Sequence, residues 1–462
     1  MPTATLPQVW RGRSTREYVP SEGARVRHGG MATVRKVVGR GGAVGTSSLP
    51  DGTPLALKLW TEADDASLDQ LQAEARVLVE ISQETGELPC PRLYDLIGTP
   101  LVTGLVMEWC PADLERWWSE KLREPDAFGR LMATLAEASR RVSDYHVYFA
   151  TRKNLEAAHG DLKPTNILLS QDGRWLISDF GAARIRPPDD NPLFTTKVVG
   201  GSENFLTPEA LFHARKRFPA AMDTWALGAT AFALLRLQRM SLDGSQIPKN
   251  GTHSPRFRMQ RVNQIAEVYA RDPQRFHDRD LDAAAFPDPL RIPEEDRRAV
   301  LDALRGLFGP DGERREQQLA RELLDTLDRA MSIEPKHRFT DARDLAAAFE
   351  RLTRIYIELS APPRVVAPLS AAQAKAEETE TRLEQAQAEL QTLRERLQEA
   401  QAQASYAEER SRVDLPDVTP VELPPPPRLA IPTWWSVALL AILASQFATM
   451  LAMLVVLALL IL

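Results

Sequence analysis

Cysteine is nearly absent: the 462 residues hold only Cys90 and Cys110. That excludes a disulfide scaffold and any zinc site needing a cysteine cluster, and it fits a reducing compartment. A basic excess is also missing, with 57 Lys and Arg against 63 Asp and Glu for a formal charge of -6. General nucleic-acid binding is therefore not expected, and any basic site must be local. The first 30 residues carry Arg11, Arg13 and Arg16 but no apolar run of signal-peptide length, so the N-terminus reads as untargeted. No internal repeat is evident. What is present is globular, 44% apolar and 26% charged, and long enough for two or three folding units.

The last 29 residues, 434–462, contain no charge. As a helix they would measure roughly 43 Å at about 1.5 Å per residue, enough to span a bilayer core of about 30 Å with tilt. Trp434 and Trp435 at the start suit the headgroup interface. The expectation is a tail-anchored, single-pass membrane protein with everything else on one side of the bilayer. Ahead of the span, Pro416, Pro420, Pro424 to Pro427 and Pro432 mark an extended spacer. From about Ala372 to Arg410 the chain is rich in Ala, Gln, Glu, Arg and Leu and free of Gly and Pro, which is helix-forming composition. Leu383, Leu390, Leu397 and Ala404 at heptad position a leave Thr379, Ala386, Leu393, Ala400 and Ala407 at d. This alanine-rich seam supports either a homo-oligomeric coiled coil or a solvated single helix laced by pairs such as Arg382 with Gln385 and Arg394 with Gln398. Ala441, Ser445 and Thr449, beside Gln446, form a small-residue face suited to helix pairing within the membrane.

Upstream the architecture reads as α+β. Residues 24 to about 110 alternate short β-branched runs with Gly and Asp-Gly turns, and one amphipathic helix falls around Asp69 to Ile81. Arg25 to Val38 and Pro54 to Trp60, joined by a Gly-rich connection ending in Asp51-Gly52, read as consecutive antiparallel strands. Asn166 to Leu169 and Trp175 to Ser178 flank Gln171-Asp172-Gly173 as a second hairpin. From about Ala220 to Leu352 helical periodicity dominates.

The chemistry concentrates in His159-Gly160-Asp161-Leu162-Lys163-Pro164-Thr165-Asn166, followed after the hairpin by Ser178-Asp179-Phe180-Gly181. With Leu55-Ala56-Leu57-Lys58 on a strand, Glu74 on the next helix, Thr207-Pro208-Glu209, Asp223-Thr224-Trp225-Ala226-Leu227-Gly228 and Arg338, this order resembles the catalytic core of eukaryotic-type Ser/Thr protein kinases, including bacterial ones, from about Val26 to Leu352. The resemblance implies a two-lobed protein kinase fold: an N-terminal extension (1–23), a small β-rich N-lobe (24–110) and a helical C-lobe (111–355). A linker (356–371), a coiled coil (372–412), a Pro-rich linker (413–433) and a transmembrane helix (434–462) would follow.

The same resemblance assigns roles. Lys58 would hold the α/β-phosphates and pair with Glu74; Asp161 would accept or orient the acceptor hydroxyl proton; Lys163 would balance γ-phosphate charge. Asn166 and Asp179 would ligate Mg²⁺, with Mn²⁺ as an alternative. Val34, Ala56 and Leu168 would enclose adenine, Met107 would stand at the back of its pocket, and Glu108-Trp109-Cys110 would offer backbone groups to its edge. Cys110 reads either as a small buried hydrophobe or as an exposed thiol for covalent inhibitors. His159 would be structural, packed beneath Phe180 with Leu78 above, and not a base. Taken singly, Asp161 and Asn166 are also ordinary turn formers.

Departures from the pattern set the alternatives. The phosphate-covering loop is Arg27-His28-Gly29-Gly30-Met31-Ala32-Thr33-Val34, with Arg27 and Ala32 in place of the first and third glycines, so Gly29 and Gly30 remain for close approach to phosphate. The His-Arg-Asp arginine is Gly160, so Thr195 and Thr196 are not expected to be an obligatory phosphorylation switch. Gly201 replaces the family's Thr before the substrate-binding turn. Residues from about Leu237 to Asp296 exceed what the core needs and read as a loop-bearing insertion in preference to a docking surface. The resulting expectation is an ATP- and Mg²⁺-dependent Ser/Thr kinase acting on proteins, held by its anchor with the lobes in the cytoplasm, in the inner membrane if bacterial, and forming a homodimer through the coil and the span. The alternatives are a membrane-tethered pseudokinase scaffold and a small-molecule kinase.

Overall fold

The computed structural model describes residues 9–23, 26–28, 32–41, 49–60, 65–84, 86–99, 101–186, 203–211, 219–271, 283–361 and 392. The chain divides into two units, Met1–Arg364 and Val365–Leu462. The coiled-coil expectation, save Thr392, the Pro-rich spacer and the apolar span lie outside the described residues. Among the described residues no helix is long and apolar enough to cross a membrane.

The first lobe is a seven-stranded antiparallel sheet made of β1 (Trp10–Arg11), β2 (Glu17–Pro20), β3 (Arg27–His28), β4 (Ala32–Arg40), β5 (Pro54–Trp60), β6 (Leu93–Ile97) and β7 (Gly104–Glu108), with helix α1 (Asp65–Ile81) between β5 and β6. Strand β5 shows how sequence sets the two faces. Its Leu55, Leu57 and Leu59 point into a small core with Trp10, Tyr18, Val37, Ile97 and Val106, whereas Ala56, Lys58 and Trp60 line the cleft on the other side; period-two alternation makes this division obligatory. The strand order runs β1-β2-β4-β5-β7-β6. Its two ends then meet, because Gly12 bridges Ile97 and the Arg13 N–H donates to Leu96 O at 2.9 Å. Closure removes the exposed edges. The meeting point is tight enough that a side chain on Gly12 would collide with the Asp95 carboxylate.

This closure draws on residues before the N-lobe boundary expected at 23. The stretch set apart as an extension supplies two strands: Glu17–Pro20 pair with Arg40 to Val37 of β4. Tyr18 OH and Ser14 Oγ both donate to Asp95, and buried Arg16 bonds Leu49 O, Pro50 O and Asp51. These strands are two and four residues long, too short for alternation to register, and the bridge that closes the sheet joins Gly12 to Ile97, far along the chain.

The second lobe begins with β8 (Ala112–Asp113), α2 (Leu114–Lys121) and α3 (Ala127–Lys153). Strands β9 (Glu156–Ala158), β10 (Ile167–Leu169), β11 (Trp175–Ile177) and β12 (Arg184–Arg186) follow, with β8, β10 and β11 forming one sheet and β9 and β12 another. The β10–β11 hairpin is the expected one. Then come α4 (Pro208–Leu211), α5 (Pro219–Leu242), α6 (Gln260–Arg271), α7 (Glu294–Leu304), α8 (Glu313–Ala330) and α9 (Ala342–Ser360). Helix α5 presents apolar residues on every side from Ala221 to Leu237 and is buried there except at Arg236, with Asp223 its one buried charge. Trp118 of α2 donates its indole N–H to Leu234 O at 2.9 Å, and a Cβ on Gly228 would stand 2.9 Å from that of Ala330, so α5 touches α8 where only glycine fits.

Because Trp10 is 6% exposed inside the closed sheet, Trp10→Ala should cost about 3–5 kcal/mol. Denaturant unfolding of the full chain measures it; unchanged stability would return residues 10–20 to the status of a dispensable extension.

Candidate active site

A cavity of about 670 Å³ opens between the curled sheet and the helical lobe. Lys58 enters from β5, its ammonium 2.9 and 2.8 Å from the two Glu74 carboxylate oxygens of α1 and 2.9 Å from Asp179 Oδ1. Trp60 lies beneath the ammonium, 4.8 Å from nitrogen to ring centroid. Burial opposes the lysine charge, but the Asp179 and Glu74 carboxylates outweigh it and raise Lys58 above its ordinary value. Burial would also raise Asp179; the Lys58 charge and hydrogen bond prevail and hold that carboxyl down to about 2. Glu74, deeper, is pushed by burial up to about 7 against the pull of Lys58. Asp179 adopts φ +70° without being glycine, a strained backbone of about 1–3 kcal/mol that persists only where its surroundings enforce it.

The loop between β9 and β10 carries the second group. Asp161 Oδ2 accepts from Lys163 Nζ at 2.6 Å and from Asn166 Nδ2 at 3.3 Å, while Asn166 Nδ2 also bonds Asp161 O at 2.8 Å. His159 Nε2 must donate to Ser178 O at 2.8 Å, since a carbonyl only accepts, and its Nδ1 accepts from the Asp161 N–H at 3.3 Å. Both ring nitrogens are engaged, and the ring packs 4.9 Å from Phe180. His159 is structural, with Leu78 and Phe180 buried in the same core.

Asp223 of α5 anchors this loop from below. Its carboxylate accepts the backbone N–H groups of His159 at 2.7 Å and Gly160 at 3.0 Å, and His146 Nε2 lies 2.7 Å away. Burial opposes its ionisation, yet these hydrogen bonds, that of His146 foremost, keep the carboxyl below its ordinary value. Gly160 sits at φ +80°, and a Cβ there would stand 2.7 Å from Ala182 O. The glycine in place of arginine is thus matched to a left-handed, crowded backbone. Further out, Arg338 grips Glu209 with two bonds of 2.8 and 3.0 Å, both side chains buried.

With this geometry in view, comparison with known proteins is decisive. Residues 33–349 match the model of the protein kinase domain. The chain belongs to the protein kinase family. It is 28% identical over 209 residues to a receptor-like kinase of Arabidopsis thaliana, covering 44% of this chain and 22% of that protein. It is 30% identical over 154 residues to a serine/threonine-protein kinase of Saccharomyces cerevisiae, covering 31% and 27%. Cyclin-dependent kinase D-1 of Oryza sativa is 30% identical over 187 residues, covering 39% and 36%. The chain thus spans between about a fifth and just over a third of the length of these curated relatives.

Within this kinase domain the expected residues converge: Val34, Ala56, Lys58, Glu74, Met107, Glu108, Cys110, Asp161, Lys163, Asn166, Leu168 and Asp179 all line the one cavity. Gly29 and Gly30, like Thr195, Thr196 and Gly201, lie outside the described residues. The donors fit a hard divalent cation: Asn166 uses its amide nitrogen on Asp161 and Asp179 uses Oδ1 on Lys58, which leaves one oxygen on each for a metal. Two protein oxygens are the share that Mg²⁺ takes when phosphates and water complete its shell.

Three features escaped sequence reasoning. His146 carries no local signal for its partnership with Asp223, 77 residues away. Arg27 was conspicuous as a missing glycine, but its partners were not: the guanidinium bonds Pro111 O at 3.0 Å and Asp113 Oδ2 at 3.4 Å, strapping β3 to β8 at the edge of the cavity. The third is His253, which lines the cavity from the segment read as an insertion.

Cys110 is buried and, with Cys90, is pushed by burial up to about 12. Both thiols therefore stay protonated at pH 8, and only the thiolate alkylates. Iodoacetamide at pH 8 should leave both unmodified in the folded chain and label both after denaturation; rapid labelling of native Cys110 would restore the exposed-handle reading.

Proposed function

We propose that the protein is an ATP- and Mg²⁺-dependent Ser/Thr protein kinase that transfers the γ-phosphoryl group of ATP to protein hydroxyls. The observation that carries this reading is the convergence of Lys58 from β5, Asp161 and Asn166 from the β9–β10 loop, and Asp179 from the turn after β11 on one cavity. Phosphoryl transfer needs phosphates neutralised, a hydroxyl aligned and water excluded, with little covalent help. Lys58, fixed by Glu74, meets the α/β-phosphates once its bond to Asp179 yields. Asp161 orients the acceptor hydroxyl and takes its proton; Lys163, 2.6 Å from Asp161, neutralises charge gathering on the transferred group. Bound Mg²⁺, held by Asn166 and Asp179, supplies the remaining charge neutralisation. The Glu108 N–H is already engaged with Arg92 O, so the adenine edge takes its N–H donor from Cys110 and its acceptor from Glu108 O. The names of the Ser/Thr kinases it resembles support the acceptor class.

A second reading, a scaffold that transfers poorly, is favoured by one observation: Arg27 and Asp113 close across the cleft edge where the family pattern has glycine. The retention of Lys58, Glu74, Asp161, Asn166 and Asp179 weighs more, because a scaffold has no need of metal ligands and a base. Membrane attachment through 434–462 and pairing through 372–412 complete the proposal, supported by composition and heptad spacing; the lobes then face the cytoplasm, where ATP is.

The test is transfer of labelled γ-phosphate from Mg-ATP by the full chain, onto itself and onto a generic basic protein. Wild type should transfer, and Asp161→Asn should lose about 10²–10⁴-fold. No transfer from folded wild type would favour the scaffold. Separately, the full chain should float with lipid vesicles and a variant lacking 434–462 should not; equal behaviour would remove the anchor.

A further inference from the structure

The segment between α5 and α6 was expected to be a loop-bearing insertion, yet its middle is pinned to α2, to Asn204 and to the core of the lobe. Thr252 is fully buried, and both its backbone N–H, at 3.0 Å, and its hydroxyl donate to Glu115 Oε2 of α2. Asn204, three residues before Thr207, donates from Nδ2 to Thr252 O at 2.8 Å and Ser254 O at 2.9 Å. Ser254 caps the next turn by accepting from the Arg256 N–H, and Phe257 closes it in the core at 1% exposure. The residue held between these staples is His253.

Its ring is only partly buried. Nε2 lies 3.3 Å from Thr165 Oγ1, between Lys163 and Asn166 in the catalytic loop, and the ring meets Phe205 edge-on at 6.2 Å between centroids. It shares the cavity wall with Asp161, Lys163 and Asn166, whereas the adenine end is built from Ala56, Met107 and Cys110. Through Thr165 the ring is fixed to the loop that carries Asp161, on the wall of the cavity where an acceptor hydroxyl would be presented. Burial, reinforced by the Lys163 charge, holds His253 below its ordinary value, with Asp161 and Asp113 opposing; it is a neutral, flat wall at pH 7.

We infer that His253 is a specificity-determining residue for the acceptor polypeptide, reading the side chain next to the phosphorylated Ser or Thr. The inference rests on the transferase reading above and adds the chemistry of the acceptor: a neutral imidazole face beside a Phe ring accepts a small polar or flat side chain and disfavours a charged one. Thr165 sets the ring orientation as a positioning residue.

The test uses the full chain and a positional-scanning library of Ser/Thr peptides, each with one fixed residue flanking the acceptor. Wild type should reject Lys, Arg, Asp and Glu at one flanking position. His253→Ala should accept them there and raise KM for the preferred peptide about three- to tenfold, the loss of one such contact, while KM for ATP stays put. His253→Gln, which can still bond Thr165, should keep a profile nearer wild type. An unchanged profile in His253→Ala, or KM for ATP rising as much as that for peptide, would overturn the inference and leave the kinase reading standing. Absence of transfer from wild type to any peptide would overturn both.

Discussion

One ammonium ties the cleft together. Lys58 Nζ is held within 2.9 Å of Glu74 on α1 and of Asp179 on the turn after β11, so the sheet, its helix and that turn share a single charge. Removing one member of such a buried group leaves the others uncompensated, at about 3–5 kcal/mol. In the proposed reaction a bound phosphate would take the place of Asp179 on the lysine and leave that carboxylate for a metal, so the Lys58–Asp179 bond holds both groups in readiness.

That poise needs rigid supports, and the two lobes provide them differently. In the first, curling the sheet until Gly12 meets Ile97 fixes the direction of β5 and with it the height of Lys58. In the second, the buried and mostly apolar helix α5 lifts one carboxylate, Asp223, to hold the His159 and Gly160 amides. Asp161 and Asn166 then bond each other. The Glu209–Arg338 pair lies buried beyond them and secures the stretch from Glu203 to Leu211, from which Asn204 reaches the loop that presents His253.

What was legible in the sequence was local. The Asp161 to Asn166 spacing and Ser178 to Gly181 are short because the chemistry packs its groups within a few residues; Lys58 shows itself by alternation in a strand, and the β10–β11 turn by Asp172-Gly173. What was not legible is pairing at long range. The strands from Trp10 to Pro20 are brief and find partners in β4 and β6. Arg27 reaches 86 residues to Asp113, and Thr252 reaches 137 residues to Glu115. Nothing in the composition of a loop announces such a partner, so the insertion looked inert although it borders the site.

The measurement closest to the central claim is calorimetric titration of ATP into the full chain, with and without Mg²⁺, for wild type and Lys58→Met. The account predicts that wild type binds ATP more tightly with Mg²⁺, since Asn166 and Asp179 then take hold of the complex, and that Lys58→Met loses most of the affinity in both conditions. Equal affinity with and without Mg²⁺, or full affinity in Lys58→Met, would contradict it.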